Sequence, residues 1–445
     1  MDLVIGGGPA GRLAAMRLAR GGHTVRLVEK GGVGGQCLHQ GCMVICALND
    51  AARTIRSAHT LSEMGIIDAV PCIVFPRVIH EMKGIQQKIE GILRDETADS
   101  GVEMVQGEGS IRNGQAFIDG KKVAAQAVVL ATGSRPHIPD IPGIHLSGVF
   151  NPHTLYRMQN LPEKIVIIGC GAMGAEFSYI FHSYGSEVTL TCRSGFLKNL
   201  DPYLNACARR ELYGVQICEN ATPIRILGNR AVSGVLIQSG NAEEKIEADA
   251  VFLAAGLVPR TEHIEGLDQG PSGEIRVDDH MRTSLPGVYA CGDVTGPPYL
   301  TPVARMEGIV AADNILGCDR RMDYSWIPQS IALMNEFAFC SGGTEPSFSM
   351  KMPSPAGPGS FWSVPKGLTG GVRVTMGRES GRIQGIAAAA PGAGIVAHYM
   401  AQLMRHGCTA DEFETFIETH PTSDGVFSLI KYMAEYQRRK SGGND

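Results

Sequence analysis

Two stretches of this chain follow the same order of strand, glycine-rich turn, helix and strand, and no other feature limits the possible folds as strongly. Leu3-Val4-Ile5 runs into Gly6-Gly7-Gly8-Pro9-Ala10-Gly11, then a helical stretch, then the strand Thr24–Val28 closed by Glu29. Ile165–Ile168 runs into Gly169-Cys170-Gly171-Ala172-Met173-Gly174, a helical stretch and the strand Glu187–Leu190. Both turns read GxGxxG between a strand and a helix, the pattern that seats a dinucleotide pyrophosphate. The first glycine permits the tight turn, the second lets backbone N–H groups reach the phosphates, and the third lets helix and strand pack closely. The helix then turns the positive end of its dipole toward the phosphates. One such motif is weak evidence; two in the same setting point to two dinucleotide sites.

The residue closing the second strand of each unit separates the two sites. An acid there takes a ribose hydroxyl, and Glu29 suits the adenosine ribose of FAD or NAD. The second unit has Cys192 in that place, followed by Arg193 and, further on, Lys198. An arginine at this point suits the 2′-phosphate of NADP. The alternative is an ordinary solvated loop arginine, and the reading favours NADPH over NADH.

Composition agrees with a globular enzyme. Hydrophobic residues are 44% and charged residues 19% of the 445, which excludes a disordered or collagen-like chain. The net charge of −5 without long runs of one sign argues against nucleic-acid binding. Glycine numbers 56, well above the average of about 7%, and no low-complexity tract absorbs the excess. No apolar run reaches the length of a membrane span. Met1 and Asp2 lead straight into an apolar strand with no basic leader, so a cytoplasmic location is expected. The 12 cysteines are scattered, unlike a secreted disulfide scaffold; in a reducing compartment a close pair signals chemistry.

Two strand ends also rhyme: Val128–Leu130 stops at Ala131-Thr132-Gly133-Ser134, and Val251–Leu253 at Ala254-Ala255-Gly256. Gly287–Cys291 is another buried strand, ending at Gly292-Asp293. From Trp326 onward strand-like pieces, a Pro/Gly/Ser-rich stretch at 353–359 and helical segments mark a third domain.

The order of these motifs, with Gly34-Gly35-Gln36-Cys37-Leu38-His39-Gln40-Gly41-Cys42 and His420-Pro421-Thr422, resembles the FAD-dependent pyridine nucleotide-disulfide oxidoreductases over nearly the whole chain. The likeness is strongest to the dihydrolipoamide dehydrogenase, glutathione reductase and mercuric reductase branch. It implies an α/β fold with two Rossmann-like domains, for FAD and NAD(P), and a C-terminal α+β dimerisation domain. The implied boundaries are 1–148 with 263–324, 149–262, and 325–445. It further implies a homodimer acting on a small or protein-borne disulfide or dithiol, with no nucleic acid, membrane or metal.

In a regular helix Cys37 and Cys42 would be offset by about 7.5 Å, beyond the roughly 4.4–6.8 Å Cα separation of a disulfide. Gly41 permits the irregular turn that would close the gap. A pair of free thiols, or half of a metal site completed by Cys46, is the alternative. By resemblance Cys37 attacks the substrate disulfide, Cys42 faces the flavin, and His420 moves the proton, reaching across the dimer. The FAD contacts implied are Gly6, Gly8, Pro9, Ala10, Gly11, Glu29, Lys30, Gly35, Gln36, Gly109, Thr132, Gly133, Ser134 and Asp293, with Leu300, Thr301 and Pro302 along the flavin. Those for the nicotinamide nucleotide are Gly169, Gly171, Ala172, Met173, Gly174, Arg193 and Gly256. Glu176 matches the acid near the flavin and nicotinamide.

Three positions depart from the family pattern. Cys46 stands where relatives carry a lysine paired with the acid matched by Glu176; it is read as an inert buried cysteine or a third redox thiol. Gly425 stands where relatives carry the glutamate that orients the histidine. Asp424 is the nearest acid, but on a helix one residue of slip turns a side chain by about 100°, so it is not expected to reach. His39 and Gln40 replace Asn-Val between the cysteines, and His39 is read as solvated rather than tuning the thiols. Mercuric reduction is disfavoured by the lack of an N-terminal metal-binding module and a C-terminal cysteine pair. Beside the disulfide oxidoreductase stands a second reading, a redox-sensing or electron-relay flavoprotein acting on a protein partner without small-disulfide turnover.

Overall fold

The computed structural model describes residues 1–441. Each glycine motif opens a parallel five-stranded sheet. In the first, Asp2–Ile5 lies between Val25–Glu29 and Val128–Leu130; Val102–Gln106 and Val288–Ala290 form the edges. In the second, Lys164–Ile168 lies between Glu187–Cys192 and Ala250–Leu253, with Gln216–Glu219 and Val149–Phe150 outside. The central strands are buried along their length, as parallel strands covered on both faces must be. The last edge strand of the first sheet follows the whole of the second sheet in sequence, so the second unit is an excursion from the first.

The rhyming strand ends join the two units. Ser134–Pro136 follows one and Leu257–Pro259 the other, and they pair antiparallel, Ser134 opposite Pro259. Antiparallel three-stranded sheets fill the long crossover of each unit, at 109–123 and 221–247.

Helix Pro9–Arg20 buries Ala10, Ala14, Ala15 and Leu18. Its small residues let helix Thr301–Ile315 come close: a Cβ on Gly308 would stand 2.3 Å from the Ala10 carbonyl oxygen. That contact aims the start of Thr301–Ile315 toward the Gly35–Cys42 segment. The long helix Cys42–Glu63 crosses to the second unit, where the Tyr184 hydroxyl donates to the Leu48 carbonyl at 2.7 Å.

The third region is an antiparallel sheet of five strands, ordered Gln329–Ala332, Glu336–Ser341, Ile383–Ala390, Gly371–Gly377 and Ser347–Pro353. Helices Ala393–Arg405 and Gly425–Ser441 cover it. Its root is a buried carboxyl: Glu211 of the second unit accepts from the Asn335 backbone at 3.1 Å and side chain at 2.5 Å. Burial pushes Glu211 up to about 7. Among the described residues no helix is long and apolar enough to cross a membrane.

Candidate active site

The two glycine turns have the same steric design. A Cβ on Gly6 would stand 2.2 Å from the Ala131 carbonyl oxygen, and on Gly169, 2.3 Å from that of Ala254. A Cβ on Gly11 would meet the Gly6 oxygen at 2.0 Å, and on Gly174, the Gly169 oxygen at 1.8 Å. The middle glycines are different. Gly8 has only the Gly35 Cα at 4.0 Å and Gly171 has nothing within 4 Å, so each turn is closed behind and open in front. Neither following helix has a side-chain cap or an acid in its first turn. Its leading N–H groups are therefore left for an anionic ligand. These cradles fit the pyrophosphates of FAD and of a nicotinamide dinucleotide.

The other expected cofactor residues lie around the first cradle with partners of their own. Glu29 accepts from Gly7 N–H and from Gly31 N–H, each at 2.6 Å. Lys30 is exposed and pairs with Glu108 at 3.1 Å. Gly35 sits against Gly8, and a Cβ on Gly109 would meet the Ile5 side chain at 2.6 Å. Gln36 bonds His153 Nε2 at 3.0 Å through its Oε1. The Thr132 hydroxyl donates to the Arg260 carbonyl at 2.7 Å, and the Ser134 hydroxyl to Asp293 at 2.6 Å. Burial raises the Asp293 carboxyl.

Sequence reasoning missed the acid beneath this loop. Glu307 is buried, accepts from Gly292 N–H at 2.6 Å and from the Tyr324 hydroxyl at 2.7 Å, and is pushed up to about 6 by burial. An acid inside an apolar helical run was its only signal.

Cys37 lies on the short helix Gly35–His39, and Cys42 is the first residue of helix Cys42–Glu63. Gly41, at φ −123° and ψ −121°, breaks the chain between them. A Cβ there would stand 3.0 Å from the Gln36 carbonyl oxygen. Both cysteines are thiols in this structure, and the two side chains hydrogen-bond each other. Cys42 Sγ also lies 3.5 Å from Thr301 Oγ1, at the start of the helix that follows Leu300, with Pro302 next in its first turn. Hydrogen bonds from Cys37 and then Thr301 pull the Cys42 thiol down to about 6. Its bond to Cys42, and then burial, hold the Cys37 thiol up. A helix N-terminus favours a thiolate in the same sense.

The disulfide the structure does contain is elsewhere. Cys170 and Cys192, inside and opposite the second glycine turn, are bonded with a Cα separation of 5.2 Å. Arg193 follows Cys192 and is exposed, as are Ala172 and Gly256, while Met173 is half-buried.

Cys46 lies one turn beyond Cys42 and is exposed, which corrects the reading of an inert buried cysteine. Desolvation raises its thiol, with Cys42 and Glu176 among the charges that add to this. Glu176 accepts from Ala332 N–H at 3.0 Å, and the atoms crowded around its carboxyl push it up to about 7. His39 is not solvated: it is half-buried, with Nε2 at 3.2 Å from the Val33 carbonyl and 3.8 Å from Glu90. Asp278, Asp279 and His280 also gather within metal-ligand reach of one another, but His280 is taken up by Asp279 and Asp319, each at 2.7 Å.

The expectation that Asp424 fails to reach His420 is overturned. Residues 420–424 are not helical, so the one-residue slip carries no 100° penalty. Asp424 Oδ2 lies 2.8 Å from His420 Nδ1. Gly425 opens the final helix against Pro355, whose Cδ would stand 2.6 Å from a Cβ there. A side chain at 425 would meet Pro355, and the acid beside His420 is Asp424, one residue earlier. Asp424→Asn should lower kcat for disulfide reduction by about a hundredfold with little change in KM. Steady-state kinetics at saturating nucleotide, with rescue by Asp424→Glu, checks this; an unchanged kcat would remove Asp424 from its positioning role.

Two nucleotide cradles with a dithiol at converging helix starts form the arrangement of a nucleotide-dependent thiol–disulfide oxidoreductase. The profile of the family described as "Pyridine nucleotide-disulphide oxidoreductase" matches residues 3–308, and the chain belongs to this family of FAD-dependent enzymes that take a nicotinamide dinucleotide. It is a flavoprotein disulfide oxidoreductase.

Among its relatives is the dihydrolipoyl dehydrogenase of Bacillus subtilis (strain 168), 29% identical over 442 residues, which cover 94% of this chain and 95% of that one. The mercuric reductase of Staphylococcus aureus is 29% identical over 337 residues, which cover 73% of this chain and 61% of that enzyme, under two thirds of its length. The HOCl-induced flavoprotein disulfide reductase RclA from Escherichia coli shares the fold, with a TM-score of 0.84 at 22% identity. That match covers 96% of this chain and 99% of that one.

Proposed function

We propose that this protein is a cytoplasmic, homodimeric NADPH:disulfide oxidoreductase that works through Cys37 and Cys42. The asymmetry of that pair carries the reading: one thiol is held protonated and the other is stabilised as a thiolate. A dithiol poised this way is set to exchange with a disulfide, one sulfur attacking and the other resolving.

FAD is assigned to segments 1–148 and 263–324, the nicotinamide dinucleotide to 149–262, and pairing of subunits to 325–445. Held at the Gly6–Gly11 cradle, FAD would supply the hydride and electron-transfer chemistry that links the nicotinamide to the cysteine pair. The chain's own part is placement and proton handling. Cys37 attacks the substrate disulfide and Cys42 resolves the mixed disulfide. His420 Nε2 takes the Cys37 proton and returns it to the leaving thiol, while Asp424 holds Nδ1.

His420 is exposed on its own subunit, which suits a base that serves the partner's cysteines. Helix Ala393–Arg405 supports pairing, because it buries Ala393, Ala397, Met400 and Met404 inward yet leaves Ile395, Tyr399 and Leu403 exposed on a second stripe. A helix apolar on two faces has a second surface to cover. The exposed Cys46, on the same helix face as Cys42, favours the second reading of a relay to a protein partner. Turnover with a panel of small disulfides separates the two.

NADPH is preferred because the ribose-binding acid is absent at Cys192 and Arg193 follows it, exposed. Arg193→Ala should raise the KM for NADPH by about tenfold to a hundredfold and leave that for NADH unchanged. Equal effects on both nucleotides, or none, would remove the 2′-phosphate role.

A further inference from the structure

The second glycine turn carries a covalent bond where the first carries a hydrogen bond. Strand register aligns the two units: Ile5 pairs with Val28, and Ile168 pairs with Thr191. Two residues past Ile5 and Ile168, Gly7 corresponds to Cys170; one residue past Val28 and Thr191, Glu29 corresponds to Cys192. In the first unit Gly7 N–H donates to the Glu29 carboxylate at 2.6 Å. At the same two positions in the second unit lies the Cys170–Cys192 disulfide. Cys192 is buried at the strand end and Cys170 is half-buried in the turn, so Cys170 is the less enclosed partner of the bond.

In both units this contact ties the glycine turn to the end of the second strand, and the two turns share their close glycine contacts. The bonded state of the second turn is therefore the counterpart of the hydrogen-bonded first turn, closed behind and open to a pyrophosphate. Breaking the bond leaves two thiols that must part to non-bonded distance. Cys192 is fixed by the sheet, where Thr191 N–H and C=O neighbours are laddered on both sides. The movement falls on the turn at Cys170, just before the helix whose leading N–H groups have no side-chain cap.

We propose that Cys170 and Cys192 are a second redox centre, distinct from Cys37 and Cys42, whose state sets the affinity of this turn for the nicotinamide dinucleotide: tight when bonded, weaker when reduced. The inference rests on the assignment of that turn to the nicotinamide nucleotide. Oxidation by a peroxide balances in two steps. The Cys170 sulfur attacks a peroxide oxygen, the O–O bond breaks, and Cys170 becomes a sulfenic acid as water leaves. The Cys192 sulfur then attacks Cys170, the S–S bond forms and a second water departs, so two electrons pass from the two thiols to the peroxide. A dithiol reverses this by exchange at Cys170, taking both electrons' worth of oxidation as its own disulfide. An oxidising environment thereby turns on access to the reductant that disulfide reduction consumes.

The test is calorimetric binding of NADP⁺ and NAD⁺, which donate no electrons, to the purified flavoenzyme after peroxide treatment and after reduction with dithiothreitol. Reduction should raise the dissociation constant at least about fivefold, the low end of typical coupling between two sites. Peptide mapping should find the Cys170–Cys192 cross-link only in the peroxide-treated protein. Cys170→Ser, a change at the half-buried partner that leaves the packed Cys192 in place, should show the weaker affinity under both treatments. Equal affinity in both states of the unsubstituted protein, or no cross-link after peroxide, overturns the proposal and leaves the nucleotide assignment standing. A dithiothreitol effect that persists in Cys170→Ser assigns it to the other cysteine pair and also overturns the proposal. Failure of either nucleotide to bind in any state overturns the assignment of the turn, and the inference with it.

Discussion

Cys37→Ser should lose disulfide reductase turnover by about a thousandfold or more, the scale of removing a covalent nucleophile, while NADPH still reduces the bound flavin. The structure gives the two thiols opposite charge tendencies. Cys37 is half-buried, its thiol held up by its bond to Cys42 and by burial, and it is the sulfur proposed to meet the substrate. Cys42, at the head of the long helix, is pulled down to about 6 by Cys37 and Thr301 and is the thiol that ionises more readily.

An anaerobic NADPH titration of the unsubstituted protein should show the long-wavelength absorbance of a thiolate beside flavin, and Cys42→Ser should lack it. The sign of its pH dependence follows from the lowered pKa. Cys42 stays ionised from the ordinary thiol range down to about 6, so the band persists there and fades as pH falls through about 6. Full turnover by Cys37→Ser, or a band that survives in Cys42→Ser, would end the proposed route.

A matched set of glycine substitutions should separate the two cradles. Gly11→Ala puts a methyl group 2.0 Å from the Gly6 carbonyl, and Gly174→Ala puts one 1.8 Å from the Gly169 carbonyl. Both neighbours are backbone at a strand end and cannot turn aside, so each cradle is forced open at a cost of about 1–3 kcal/mol. Gly11→Ala is expected to purify with most of its yellow colour gone. Gly174→Ala is expected to stay yellow and bind NADP⁺ at least about tenfold more weakly, since each 1.4 kcal/mol is a factor of ten. Gly171→Ala is the control that makes the set informative. Its Cβ meets nothing within 4 Å and its φ of −78° suits any residue, so its melting temperature should hold while nucleotide binding falls. Flavin absorbance, calorimetry and thermal melts read all three. Unaltered NADP⁺ binding in Gly171→Ala would show that the open side of the turn is not where the pyrophosphate lies.

Much of the scaffold was legible because its rules act over a few residues. Strand, GxGxxG and helix are read from adjacent positions, and the steric demands on Gly6, Gly11, Gly169 and Gly174 are set within one strand–turn–helix and the neighbouring strand end. The break at Gly41 between Cys37 and Cys42 was legible in the same way. The reading of Asp424 failed because it assumed a helix through 420–424, where the structure has an irregular turn that brings the acid to His420. His39 was misjudged because its partners, Val33 and Glu90, come from a loop and a distant helix.

The sequence alone determined the two dinucleotide units and the cysteine pair at the head of a helix, and it singled out His420 as the base proposed to serve that pair. Its departures from pattern, at Cys46, Gly425 and Cys192, were equally visible there. Tertiary structure alone decided what those departures mean. Pro355 packs against Gly425, the irregular turn at 420–424 brings Asp424 to His420, and burial set the charge tendencies of Glu176, Glu211 and Glu307. Only the folding of the second glycine turn onto its neighbouring strand brought Cys170 within bonding distance of Cys192. Backbone propensity and glycine sterics are local, whereas desolvation, proximity of charges and pairing of thiols depend on segments distant in the chain being brought together.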